Sequence, residues 1–316
     1  MSQLNTILDA TLPVFLIVGA GFALRRLRWL TAEADASLLK VTINLLIPCL
    51  VFDSLIGNQA FARTSNLLLP PLVGFGTVAI GLAVAAAIRR WVPAETPSTR
   101  RTFVFCAAMY NYGYVPIPLA MSLFDRETVG VLFVHNVGVE VAFWVFGLML
   151  LAGAGLGTSA KRLLNAPLGA ILLTLALNAV VERGQVPVPV LNAAHLLGQC
   201  AIPLGMVLIG ATIADHLGEF RGGPGRRTIV LGILVRLVVV PAIFVGLARW
   251  LPASVELKRV MVIQAAMPAA VFPIVLVRHY GGDPAAALRV VIGTSVAGLL
   301  TMPLWIRLGM AWAGLE

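Results

Sequence analysis

Charge is what this sequence has least of. Asp, Glu, Lys and Arg make up 12% of its 316 residues, against 59% apolar residues, whereas a soluble chain of this length needs roughly a quarter of its residues charged. Cysteine is scarce too, with three in all. Cys49, Cys106 and Cys200 fall inside apolar runs and are expected as small buried side chains, not a disulfide framework. Catalytic signatures are missing: there is no nucleophile elbow, phosphate-cradling loop, His-Glu-x-x-His or paired acidic motif. The loops are too short to house a nucleotide-driven motor, so no enzyme activity, cofactor or metal is expected. What remains is a succession of hydrophobic runs, each near the roughly 20 residues that cross about 30 Å of hydrocarbon as a helix. This is the pattern of a multi-pass membrane protein.

Ten spans are expected: 5–24, 36–57, 66–88, 102–124, 129–151, 166–182, 191–214, 228–250, 257–280 and 286–311. The first is followed by Arg25, Arg26 and Arg28 and lacks a small-residue cleavage pattern, so it is read as a retained helix. Odd-numbered loops carry fourteen Lys and Arg residues and the other loops and the C-terminal end seven, with Lys40 and Arg236 inside spans. Because positive loops stay cytoplasmic, both termini are expected outside a cell (inner) membrane. The net charge of +9 then reads as topology and as contact with anionic lipid of the bilayer, not as a nucleic-acid face.

Prolines test for a repeat, since each removes a helix hydrogen bond. Pro13, Pro48 and Pro116 are matched by Pro167, Pro203 and Pro268 at offsets of 154, 155 and 152. LLIPCLVF at 45–52 is similar to CAIPLGMVL at 200–208. Five spans per half is an odd number, so the second copy enters from the opposite side and the halves form an inverted repeat. Residues 1–152 are the first repeat, 153–165 a cytoplasmic linker and 166–316 the second repeat.

MYNYGYVPIPLA at 109–120 and QAAMPAAVFP at 264–273 place helix breakers at the same point of the two halves. Non-helical backbone at membrane depth is tolerated where it packs in protein or lines a wet cavity. Two broken helices crossing there present N-terminal amides that attract an anion; the plainer reading is that the prolines kink packed helices. Asn111, two tyrosines and Gln264 beside the prolines favour the site.

Four stretches also carry a resemblance: NYGYVPIPLA (111–120), PLGMVLIGATI (203–213), Arg236 with Pro241 in VRLVVVPA, and QAAMPAAVFPIVLVRHYGGDP (264–284). Over nearly its whole length the chain resembles the auxin efflux carrier family, the plant PIN proteins and their bacterial relatives. The resemblance implies an all-α integral membrane protein with ten transmembrane helices in two inverted five-helix repeats. Broken helices four and nine would cross, as in sodium–proton antiporters and bile-acid symporters. It further implies a scaffold of helices 1, 2, 6 and 7, a transport domain of helices 3–5 and 8–10, homodimer pairing through the scaffold, and export or exchange of small organic acid anions. Asn111 takes the position of the family's carboxylate-contacting Asn, while Tyr110, Tyr112 and Tyr114, with Pro116 in place of a frequent Gly, depart from the plant pattern. The expected substrate-binding set is Asn111, Tyr112, Gly113, Tyr114, Pro116, Asn136, Gln264, Met267, Pro268, Ala269 and Asn44, with Gly113 letting the backbone bend.

Ionisable residues at membrane depth are costly and usually have a role. For Glu140 and Arg236 the plain reading is a buried ion pair; the alternative makes Arg236 a substrate partner and Glu140 a proton carrier. His135 and Asn136 either line the pocket or bond between helices, and Asn44 either faces the cavity or packs. Asp53 is read as a helix-end residue, His195 as interfacial, and Asp215, His216 and Glu219 as a solvated turn. The function expected is a secondary carrier of small carboxylates working by an elevator-like alternating access. A channel or sensor on the same scaffold, or an intramembrane enzyme, are the alternatives.

Overall fold

The computed structural model describes residues 3–93, 96–152, 164–220 and 225–315. Apart from short 3-10 turns, their regular structure is twelve helices. In chain order these are α1 (Gln3–Arg26), α2 (Ala32–Leu55), α3 (Ser65–Ile88), α4 (Pro97–Ala108), α5 (Pro116–Leu123) and α6 (Arg126–Ala152). They continue as α7 (Ala166–Leu177), α8 (Val188–Phe220), α9 (Arg226–Trp250), α10 (Val255–Ala266), α11 (Phe272–His279) and α12 (Pro284–Ala313). Seven of them, α1, α2, α3, α6, α8, α9 and α12, are long and apolar enough to cross a membrane.

The expected spans 102–124 and 257–280 are each two helices, of 12 and 8 residues in both cases. The sixth span is shorter than the expected 166–182, a helix of 12 residues. The expected 153–165 linker lies, over 153–163, outside the described residues. Local chemistry explains the ends. Thr96, Asn165, Ser254 and Asp283 cap α4, α7, α10 and α12 by accepting a backbone N–H, and Pro97, Pro167 and Pro284 stand in first turns where their missing N–H is harmless.

Two of the proline matches shift. Pro116 opens α5 and its positional counterpart is Pro273 in the first turn of α11, whereas Pro268 lies in the unwound stretch before α11. Pro13 is inside α1, but Pro167 is at the start of α7. A sequence offset aligns residues, and an extra residue in one loop slides that alignment. Pro48 and Pro241 each follow a π-helical turn, Thr42–Leu46 in α2 and Val235–Val239 in α9, where the helix widens before the missing hydrogen bond.

Packing sorts the helices into two groups. α1 packs on α8, and α2 on both α7 and α8. The α1–α8 approach is tight because a Cβ on Gly21 would stand 2.1 Å from the Val207 carbonyl oxygen, and one on Gly210 would stand 2.0 Å from that of Val18. In the second group α3 packs on α6, where Gly138 faces the Pro71 carbonyl and Gly74 that of His135. α4, α10 and α12 form its centre: residues 102–108 and 260–266 are buried throughout. Large apolar side chains instead face outward on the outer helices, Leu16, Leu72 and Leu172 among them, as lipid requires.

Candidate functional site

Where α4 and α10 end, the chain crosses itself. The Asn111 N–H donates to the Pro268 carbonyl (2.9 Å) and the Ala270 N–H to that of Met109 (2.9 Å), on either side of an antiparallel bridge between Tyr110 and Ala269. The Ala269 N–H donates to Thr294 Oγ1 on α12 (3.1 Å). This one-rung pairing satisfies backbone groups that lipid cannot, and it brings together the C-terminal ends of α4 and α10 and the N-terminal ends of α5 and α11. Carbonyl-rich, partly negative ends and amide-rich, partly positive ends thus meet at one place.

Asn111 is buried and its Oδ1 accepts the Val115 N–H (3.3 Å), capping the entry to α5. Its Nδ2 has no acceptor among the described residues. Gln264, fully buried at the end of α10, donates from Nε2 to Asn136 Oδ1 (3.0 Å) and to the Tyr112 carbonyl (3.3 Å). Asn136 Nδ2 donates to that same carbonyl (2.6 Å). Gln264 Oε1 is buried without a partner. Asn111, Tyr112, Asn136 and Gln264 therefore form one group at the crossing.

The three tyrosines separate. Tyr110 is buried, shares a 2.8 Å hydrogen bond with the Thr77 hydroxyl, and lies with its ring centre 5.0 Å from the Arg236 guanidinium. Tyr112 serves the crossing through its carbonyl. Tyr114 leaves the second group of helices and lays its ring on α8, filling the place a side chain would take at Gly205. Tyr112, Gly113, Tyr114, Asn136 and Glu140 are all partly exposed. Gly113 has neither a left-handed φ nor a close neighbour: a Cβ there would meet nothing within 4 Å. It borders open space and is not a required bend.

The expected Glu140–Arg236 ion pair does not form among the described residues. Arg236, fully buried in the π turn of α9, donates from Nη2 to the carbonyls of Gln264 (3.4 Å) and Ala265 (3.2 Å) at the C-terminal end of α10. The Tyr110 and Phe244 rings flank it, and Nε and Nη1 are buried without partners. Glu140 Oε1 instead accepts Asn165 Nδ2 (2.5 Å) at the N-terminal end of α7, with the Trp144 indole as a second donor. The reason is electrostatic: the cation has found a helix C-terminus and the anion a helix N-terminus, each of complementary sign.

Other expected site residues are placed as follows. His135 is buried, with Nδ1 3.4 Å from Asn136 Oδ1 and Nε2 unpartnered, so it supports Asn136 from behind. Met267, Pro268 and Ala269 are buried within the crossing segment, and Pro116 is buried at the start of α5. Asn44 is exposed and donates to the Lys40 carbonyl of its own helix (2.8 Å); it joins no bond at the crossing. Cys106 is buried, Cys49 half-buried and Cys200 exposed, correcting the expectation that all three are buried.

Away from the crossing, ionisable groups tie helix ends. Asp53 at the end of α2 meets Arg183 (3.1 Å) and His195 (2.9 Å), and Arg126 donates to the Asp53 and Ile56 carbonyls. Asp215 and His216 belong to α8 and not to a turn; they pair with Arg25 (3.3 Å) and Arg278 (3.0 Å). Asp125 and Asp283 occupy matching places. Asp125 accepts the Thr128 N–H at the start of α6 and binds Arg259 of α10, while Asp283 caps α12 and accepts the Thr99 hydroxyl of α4 (2.7 Å). Burial pushes the Asp125 carboxyl up, but the Thr128 hydroxyl and amide and Arg259 outweigh it and hold it below the usual carboxylate range.

Sequence reading missed Thr77, Thr294, Asn165 and Gly205. Thr and Gly inside apolar spans carry no distinguishing pattern, since their significance depends on which helix faces them. Asn165 directly before an apolar run was visible as an N-cap signal.

Comparison with known proteins agrees with this architecture. The chain matches the membrane transport protein family over residues 6–306. An uncharacterized transporter of Methanothermobacter thermautotrophicus is 27% identical over 305 residues, covering 94% of this chain and 96% of that protein. The uncharacterized transporter MJ1031 of Methanocaldococcus jannaschii is 20% identical over 303 residues, 94% of this chain and 97% of its own length. With nearly the full length matched, the chain is a multi-pass membrane protein that belongs to the membrane transport protein family, the auxin efflux carrier family whose motifs it carries.

Proposed function

We propose that this transporter is a secondary carrier of small organic anions, carboxylates foremost, and that the anion binds on the partly exposed side of the crossing at Asn111, Tyr112, Gly113 and Asn136. One observation carries the reading: Arg236 is a buried cation with no acidic partner among the described residues, held on the C-terminal carbonyls of α10 beside the crossing from which α5 and α11 start. Its field is weakly screened at that depth, so the crossing prefers a negative guest. The unused Asn111 Nδ2 is a donor suited to a carboxylate oxygen.

Movement in this proposal is of α3–α6 and α9–α12 against α1, α2, α7 and α8, with two inverted repeats of α1–α6 and α7–α12. The reciprocal roles of Asp125 and Asp283 and the matched 12- and 8-residue half-helices support the repeat. The two groups meet near the crossing through Tyr114 on Gly205 and Glu140 with Asn165, and at helix ends through Arg126 on the Asp53 and Ile56 carbonyls and Arg278 with His216, contacts that relative movement would have to exchange. Both termini outside follows from the charge of the loops.

The test is a thermal-shift screen of the purified protein against malonate, malate, succinate, benzoate and indole-3-acetate, followed by counterflow of the labelled best ligand in proteoliposomes. A ligand that binds the folded state raises the melting temperature by mass action, and Asn111→Ala should abolish that rise while leaving the ligand-free melt in place. Full binding and counterflow by a folded Asn111→Ala protein would remove the crossing as the site. Ohmic current in place of counterflow would make the protein a channel.

A further inference from the structure

Glu140 and Arg236 are not bonded, yet they are the two charged side chains in the middle of the helices α3–α6 and α9–α12. α3 and α5 have no ionisable residue, and on these helices the other Asp, Glu, Lys and Arg residues lie toward helix ends, with His135 of α6 the mid-helix titratable neighbour. With Glu140 ionised the two charges cancel. Adding a monovalent carboxylate leaves one net negative charge in a body that must move through a low-dielectric layer, and uncompensated charge there is costly. Among the described residues no Lys or Arg besides Arg236 lies at the crossing.

The surroundings of Glu140 suit a group that changes charge. On its own helix the nearest titratable side chain is His135, buried and turned to Asn136. α7, with the sequence APLGAILLTLAL, contributes no ionisable residue, only its N-terminal end and Asn165. The crossing segment contributes Tyr112, within electrostatic reach of the carboxyl. α2 and α10 bring Asp53 and Arg259 to the Arg126 end of α6, both engaged elsewhere, and α4 brings only Arg100 and Arg101 at its far end. Asn165 is itself held, because its Oδ1 accepts the Leu168 N–H (2.9 Å). Its Nδ2 therefore donates from a fixed position to a carboxylate that is partly exposed.

We propose that Glu140 is the coupling site of this carrier: it binds one proton when the anion binds, and the proton travels in the same direction as the carboxylate. The proposal rests on the carboxylate-carrier reading above. Charge then balances in both directions. The loaded body holds Arg236 as a cation, the anion and neutral Glu140, while the empty body holds Arg236 and ionised Glu140. Protonation also replaces the charge-assisted Asn165 bond by a weaker neutral one, loosening α6 from α7 in the loaded state.

The experiment uses full-length protein in vesicles containing the trapped pH dye pyranine, with the monovalent acids [14C]benzoate and [14C]indole-3-acetate as probes. Wild type should acidify the lumen as either acid enters. Glu140→Gln should keep counterflow of the labelled acid but lose acidification to the level of protein-free vesicles, and Glu140→Asp should restore part of it. Acid uptake by wild type without acidification, or equal acidification by Glu140→Gln, would overturn the coupling and leave the carrier reading standing. A substrate-free measurement covers the case in which neither acid moves and the carrier reading is the one at fault. With Trp29, Trp91, Trp250, Trp305 and Trp312 replaced by Phe, the fluorescence of Trp144 reports on Glu140 directly. A pH titration of that signal absent from Glu140→Gln supports a proton site, and an identical titration in Glu140→Gln overturns it.

Discussion

Gly205→Ala tests whether Tyr114 is a contact between the two helix groups, and the sign of its effect should depend on the partner residue. A Cβ at Gly205 would stand 1.9 Å from Tyr114 Cε1, 2.4 Å from Cδ1 and 2.8 Å from Cζ. The ring must then swing away or α8 must retreat, and overpacking of this kind costs about 1–3 kcal/mol. Against that, Ala is favoured over Gly inside a helix by about 1 kcal/mol. In the native background the substitution is expected to lie between neutral and about 2 kcal/mol destabilising. In a Tyr114→Ala background the clash is gone and the same change should stabilise by about 1 kcal/mol. The interaction energy of the pair is thus about 1–3 kcal/mol. Thermal melts of the four proteins in detergent give the cycle, and counterflow gives the functional side: Gly205→Ala should slow exchange, and Tyr114→Ala should relieve that block. Two controls bracket the result. Gly246→Ala, with nothing within 4 Å of its Cβ, should stabilise regardless of background. Gly210→Ala, whose Cβ would stand 2.0 Å from a backbone oxygen of α1, should destabilise with no side-chain deletion able to rescue it. A Gly205→Ala effect of the same sign and size in both backgrounds would refute the placement of Tyr114.

Further outcomes are expected. Glu140→Gln and Arg236→Gln should be additive in stability to within about 0.5 kcal/mol, as for residues without a shared partner; partial restoration in the double variant would reinstate the direct ion pair. Gln264→Leu leaves Asn136 with its Tyr112 bond but removes the donor to Asn136 Oδ1, so it should destabilise by about 1–3 kcal/mol and weaken ligand-induced thermal shifts. Asp125, held below the usual carboxylate range, stabilises the fold above its unfolded value near about 4 and loses that contribution as pH falls through the lower folded value. Asp125→Asn should therefore be weaker than wild type at neutral pH and converge with it in acid, by less than about 1 kcal/mol because the pair is half exposed.

Periodicity and hydrophobic length were enough to read the helices, because a bilayer imposes them: the seven long spans and the two interrupted ones stand within a few residues of their expected places. Proline and glycine were less reliable guides. Pro116 and Pro268 looked equivalent by offset, yet one opens a helix and the other lies in the unwound stretch, since loop lengths of 109–115 and 267–271 differ. Gly113, beside two tyrosines, looked like a hinge and only borders open space, whereas Gly205, unremarked in an apolar run, accommodates a ring. Asn111 and Gln264 were legible because polar side chains at that depth are rare. The partners of Glu140 and Arg236 were not, because each is met by the end of another helix, and a sequence does not say whose end arrives.

In the proposed inverted repeat, two similar halves would have to yield a site with one preferred guest. The crossing itself is close to symmetric, with a backbone bond on each side of the Tyr110–Ala269 bridge and an amide-rich helix start on each side. Side chains break the symmetry. Arg236 covers the carbonyl end of α10, whereas at the carbonyl end of α4 the Ala108 carbonyl faces Gly81 of α3, where a Cβ would stand 3.1 Å from its oxygen. The cation therefore removes the acceptors that would otherwise suit a sodium-like guest at one half of the crossing, and leaves amides and the Asn111 donor as the dominant groups on the partly exposed face. If this is the origin of anion preference, Arg236→Gln should do more than weaken carboxylate binding. Freed of the fixed charge, the α10 carbonyls become available, so the variant should lose the carboxylate-induced thermal shift and gain one with sodium that wild type lacks. A variant that still responds to carboxylates as wild type does would show that the half-helix amides suffice, and that Arg236 serves only to hold α9 against α10.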